Sequence, residues 1–103
     1  MRSIFTDDLT TCYVTGRKGW IEVHHIFPGA NRTRSTFYGY VVPLLAPIHI
    51  NGSQANDKEC RKLTGMSLKE LDLMLRQKCQ RHYETELGKS REEWLEEFKR
   101  SYL

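Results

Sequence analysis

Cysteine is too scarce and too irregular in this chain to build a disulfide scaffold. The 103 residues hold three, Cys12, Cys60 and Cys79, an odd number without a repeating spacing. A reducing compartment, the cytoplasm, is therefore expected. No apolar run is long enough for a membrane span. The longest, Tyr38 to Ile50, is broken by Gly39, Pro43 and Pro47 and falls short of the ~20 residues a spanning helix needs. Residues Met1 to Asp8 lack the apolar core of a signal peptide. Charge of one sign is in small excess only: 16 Lys and Arg stand against 13 Asp and Glu, a net +3. That balance admits a polyanionic partner without requiring one. There is neither an internal repeat nor a low-complexity segment.

What is present describes one small domain, residues 1–103. Hydrophobic residues at 39% and charged residues at 28% are the proportions of a soluble globular chain. A domain this short buries a modest core, so a bound metal would be a useful staple. Residues 1–11 read as an extended lead. Cys12 to Gly19 reads as a short strand and a glycine turn. Trp20 to Ile26 is rich in β-branched and aromatic residues and predicts a strand. Pro28-Gly29 ends it, and a polar loop runs from Ala30 to Thr36. Phe37 to Leu44 predicts a second strand, confined by Pro43 and Pro47 to an edge.

The remainder is helical. Asn56 to Leu63 predicts a short helix stopped at Gly65. Ser67-Leu68-Lys69-Glu70 is a capping box that opens a helix reaching about Leu87. Its apolar residues Leu68, Leu71, Met74, Leu75, Cys79 and Tyr83 recur at three and four, which gives one buried face. Gly88 stops it. Ser90-Arg91-Glu92-Glu93 is a second capping box, and the helix it opens is expected to bury Trp94, Leu95, Phe98 and Tyr102. Strands come first and helices after, so the fold class is α+β. Residues 12–64 form the core unit and residues 67–103 a helical support.

The chemistry concentrates in Glu22-Val23-His24-His25-Ile26-Phe27 and in His49. A neutral imidazole either ligates a metal or takes a proton near neutral pH. Phosphodiester hydrolysis needs both jobs: a base to deprotonate water, and charge stabilisation on the phosphoryl oxygens. Neighbours on a regular strand face opposite ways, so His24 and His25 share a site only where the strand ends. Arg32 and Arg34 in the following loop are candidates to hold phosphates. Asp57 and Cys60 read as a helix-start carboxylate and a small core residue. His82 reads as a surface histidine.

Glu22 to Arg32, with its His-His pair, then Tyr38-Gly39-Tyr40-Val41-Val42-Pro43-Leu44, then His49, resembles small phage-encoded HNH endonuclease-like proteins. The helical tail, Leu71 to Leu103, supports the likeness. The resemblance implies a ββα-metal fold, a hairpin and a helix gripping one divalent cation. It implies His25 as general base, His24 and Asn56 as metal ligands, and His49 as a further metal ligand or a phosphate contact. Asn56 stands where these proteins carry their last histidine, and its carbonyl favours Mg²⁺ or Mn²⁺, with Zn²⁺ or Ni²⁺ as alternatives. The family's middle asparagine is Asn31 or Asn51. Many relatives hold a structural zinc with four cysteines. Here Cys12 is joined by Thr15, Leu45 and Ile48 at the other places, so no Cys-rich zinc is expected and apolar packing takes over.

The expected function is then a metal-dependent endonuclease acting on DNA, leaving a 5′-phosphate and a 3′-hydroxyl. Two alternatives stay open. One is a binding module on the same scaffold that no longer cuts and engages nucleic acid or a phage or host protein. The other is a structural zinc held by His24, His49 and Cys60.

Overall fold

The computed structural model describes all residues, 1–103. Its sheet is a hairpin of two antiparallel strands, β1 (Ile21–His25) and β2 (Val41–Leu45). Four helices accompany it: α1 (Arg32–Tyr38), α2 (Asp57–Thr64), α3 (Leu68–Arg81) and α4 (Arg91–Phe98). The class is α+β, as expected, but α1 stands between the two strands and not after them. No helix is long and apolar enough to cross a membrane.

β1 forms where the β-branched and aromatic run predicts it. Its register sets Glu22 against Leu44, His24 against Val42 and His25 against Val41. Both strands of a two-stranded sheet are edges, which is why Pro43 is tolerated in β2. The outer edge of β2 is covered by the N-terminal lead and the turn that follows it. Ser3 Oγ donates to the Val41 carbonyl at 2.6 Å, and the Tyr13 N–H donates to the Pro43 carbonyl at 3.0 Å. The expected strand at 12–19 is absent. Cys12 N–H reaches the Arg17 carbonyl at 2.8 Å, and Gly16 N–H reaches the Cys12 carbonyl at 2.8 Å, closing a turn instead.

The polar stretch expected as loop is α1, and it takes Phe37 and Tyr38 from the predicted second strand. Arg-Thr-Arg-Ser-Thr has little helix propensity of its own, so tertiary contacts decide. Ser35 is fully buried, and its Oγ both accepts from Phe27 N–H and donates to the Phe27 carbonyl, each at 2.9 Å. Gly39 at φ 77° then closes the helix in the left-handed region.

The later helices follow their caps. Ser67 with Glu70, and Ser90 with Glu93, form complete capping boxes. α3 buries Leu71, Leu75 and Cys79, then loosens into a π turn, His82–Glu86, that carries the buried Tyr83. α4 buries Trp94 and Phe98, but Leu95 is exposed, contrary to expectation. His82 departs too: it is half-buried, with Nδ1 3.2 Å from the Tyr40 hydroxyl. Trp94, Phe98, Tyr40 and Tyr83 build an aromatic core around Phe27, whose ring lies 4.6 Å from that of Phe98. Phe27 stands two residues beyond His25, so this core anchors the end of β1. Cys12 and Ile48 belong to the same hydrophobic cluster, and Leu45 packs against it.

Candidate metal and phosphodiester site

The end of β1 and the turn after β2 bring the three histidines together. His24 and His25 close β1. His49 follows the single 3-10 turn Ala46–Ile48 that leaves β2. His24, His25, His49, Arg32 and Asn51, with Pro28 and Gly29, line one cleft of about 230 Å³. The expectation that the strand must end for His24 and His25 to share a site fits this geometry, since β1 stops at His25.

His24 is the buried member, 3% exposed. Its ring centroid lies 5.1 Å from that of His49, edge to face. Its Nε2 is buried without any hydrogen-bond partner. A buried polar atom left alone costs roughly 1–3 kcal/mol, so this nitrogen calls for an explanation. Burial, with weaker repulsion from His49, Arg76 and His25, holds the His24 pKa down at about 3. The ring is therefore neutral at physiological pH, the form that ligates a metal.

His49 is oriented by Glu22, whose carboxylate meets Nδ1 at 2.5 Å. An ionised carboxylate can only accept, so Nδ1 is the donating nitrogen and Nε2 is the one left for a metal. This carboxylate-to-imidazole pairing is the arrangement that fixes metal-ligating histidines. Gly52 makes room for it: a Cβ there would stand 2.8 Å from His49 Nδ1 and 2.9 Å from its carbonyl oxygen. Glu22 belongs to the stretch singled out in the sequence, but neither its hold on His49 nor the space at Gly52 is visible there.

His25 is held differently. Its Nε2 lies 3.1 Å from Thr36 Oγ1. Thr36 Oγ1 in turn donates to the Arg32 carbonyl at 3.2 Å. A hydroxyl has one proton, so with it aimed at that carbonyl the imidazole Nε2–H is the donor. Nδ1 is then the nitrogen free to accept. Partial burial, with the nearby Arg32 and His49, lowers the His25 pKa, so the ring is neutral and able to take a proton.

Two expected residues lie elsewhere. Asn56 is exposed and does not line the cleft. Its Oδ1 caps α2 by accepting from Glu59 N–H at 3.0 Å, while Asn51, at φ 64°, does line the cleft. Arg34 also turns away. Its Nη1 donates to Asn31 Oδ1 at 3.0 Å and to the Glu97 carbonyl at 2.9 Å, which ties α1 to α4. Arg32 stays exposed on the cleft rim. Asp57 accepts from Leu68 N–H at 2.9 Å, and Cys60 is fully buried, the structural roles read for both.

No group of three or more His, Cys, Asp or Glu side chains converges to hold a metal ion. The orphaned His24 Nε2 and the Glu22-oriented His49 nevertheless suit one as a pair of imidazole donors, with the Asn51 amide in the same cleft. A cation held by two protein nitrogens keeps open positions for water and substrate. Compared with protein-family models, with curated proteins and with solved structures, the chain matches none.

Proposed function

We propose that this chain is a metal-dependent endonuclease of the HNH type, cutting DNA phosphodiester bonds in the histidine cleft. The observation that carries the reading is the unpartnered, buried His24 Nε2 beside His49, with His25 in the same cleft. His24 and His49 would hold the divalent ion, which would supply charge stabilisation at the phosphoryl oxygens and the leaving 3′ oxygen. His25 Nδ1 takes a proton from water for in-line attack. Thr36 fixes that tautomer, and Arg32 at the rim pairs with a non-bridging phosphate oxygen. The products are a 5′-phosphate and a 3′-hydroxyl. Two imidazole donors suit Zn²⁺ or Ni²⁺ and, with the Asn51 amide oxygen, Mn²⁺.

The test is supercoiled-plasmid nicking after chelation and re-addition of Mg²⁺, Mn²⁺, Ni²⁺ or Zn²⁺. Nicking restored by at least one ion in the wild type, and lost in His24→Leu, supports the reading. Nicking that survives chelator sinks it. The lack of a third His, Cys, Asp or Glu beside the pair favours a second reading, a binding module that keeps the scaffold without cutting. That protein would bind DNA with a steep salt dependence and leave the plasmid intact under every ion.

A further inference from the structure

We propose that Phe37 is a stacking platform for an unpaired base flanking the phosphate in the histidine cleft, so that the preferred substrate is single-stranded or locally unpaired DNA. The inference rests on the nuclease reading above and adds the substrate form. Phe37 is 64% exposed although it sits in a helix. Lone exposed apolar residues are ordinary, but the position of this one is not. Arg32, Thr33, Thr36 and Phe37 fall on one face of α1 and line a second, shallow cleft. That cleft adjoins the first: Arg32 lines both. Thr36, the residue before Phe37, bonds His25.

Charge points to the occupant. No carboxylate lines either cleft. Arg32 stands between them at the start of α1, and Arg2 Nη2 donates to the Phe37 carbonyl at 2.7 Å, which brings a second guanidinium to the other end of the helix, where Phe37 stands. Cations that track a backbone beside an open aromatic face are how single strands are held without sequence readout. In a stacked duplex the bases next to the scissile phosphate have no free face for Phe37 to cover. A locally unpaired nucleotide does.

Fluorescence anisotropy on the full chain in chelator, where no cleavage occurs, tests this. The probes are a short labelled oligothymidylate and a labelled hairpin duplex. The single strand should bind the wild type more tightly than the duplex does. Phe37→Ala and Phe37→Leu should each weaken single-strand binding about tenfold, with duplex binding within about twofold, and Phe37→Trp should restore it. Equal losses on both probes, no loss on either, or no single-strand binding by the wild type would overturn the proposal. Thermal melts check that the variants fold; Phe37 is exposed, so they should. The readout is independent of cleavage. A protein that nicks plasmid but ignores Phe37 loses this inference and keeps the nuclease. One that never nicks but needs Phe37 for single strands does the reverse.

Discussion

Replacing His24 with leucine should make the metal-free protein more resistant to acid, by an amount set by one imidazole. His24 is buried, its Nε2 has no partner, and its pKa is held at about 3 against the ordinary 6.5. Between those values the unfolded chain binds a proton that the folded chain refuses. Stability from the neutral ring is therefore complete above the unfolded pKa and is lost as pH falls toward the folded one. At ~1.36 kcal/mol per unit, moving from about pH 7 to about pH 5 costs the wild type roughly 2 kcal/mol through this group. Leucine does not titrate. At neutral pH the exchange lies near balance: relief of the unpaired nitrogen is ~1–3 kcal/mol, and repacking costs up to about 1.5 kcal/mol. The stability gap between variant and wild type, read from urea unfolding in chelator at both pH values, should widen by roughly 2 kcal/mol. Other histidines are common to both proteins and cancel. A gap that does not change with pH refutes the buried, neutral, unpartnered imidazole. Added metal should raise the melting temperature of the wild type and not of the variant.

Three further outcomes follow from the same geometry. Glu22→Gln removes the carboxylate from His49 Nδ1 and should weaken divalent-ion binding about 10- to 100-fold by calorimetry; Gly52→Ala, which crowds the same ring, should also weaken it, and unchanged affinity in both would dismiss His49 as an oriented ligand. Asn56→Ala loses the cap of α2 and should lower stability by about 1 kcal/mol with metal affinity intact; a large affinity loss would return Asn56 to the ligand set. Arg32→Gln should reduce the slope of log binding constant against log salt by about one, whereas Arg34→Gln should leave that slope alone and cost stability through the lost tie to Glu97; equal salt slopes in the two variants would contradict their separation.

The sequence was most informative where signals were local. Both capping boxes, the glycine stop at Gly65 and the four-residue beat Leu71, Leu75, Cys79, Tyr83 depend on near neighbours, and each stands where it was read. α1 was not legible, because Ser35's bonds to Phe27 hold it and that contact exists only once β1 has turned back. The same division runs through the site. The His-His pair and His49 were visible as residue types near a strand end. Glu22's hold on His49, Thr36's hold on His25 and the space at Gly52 arise from the hairpin register and the turn after β2. Asn56 illustrates the limit of a positional match. An asparagine just before a helix is equally a ligand by analogy and a cap by chemistry, and here its oxygen accepts from the Glu59 N–H and lies outside the histidine cleft. Leu95 shows the limit of periodicity: one position from Trp94, it falls off the buried face.

The measurement that tests the central claim most directly is the single-turnover rate of plasmid nicking by wild type and His25→Ala, each saturated with whichever of the four ions supports wild-type cleavage. His25 as the base that deprotonates water predicts a fall of about 10²-fold or more, with metal affinity retained. A variant that nicks at the wild-type rate while loaded with metal would contradict it.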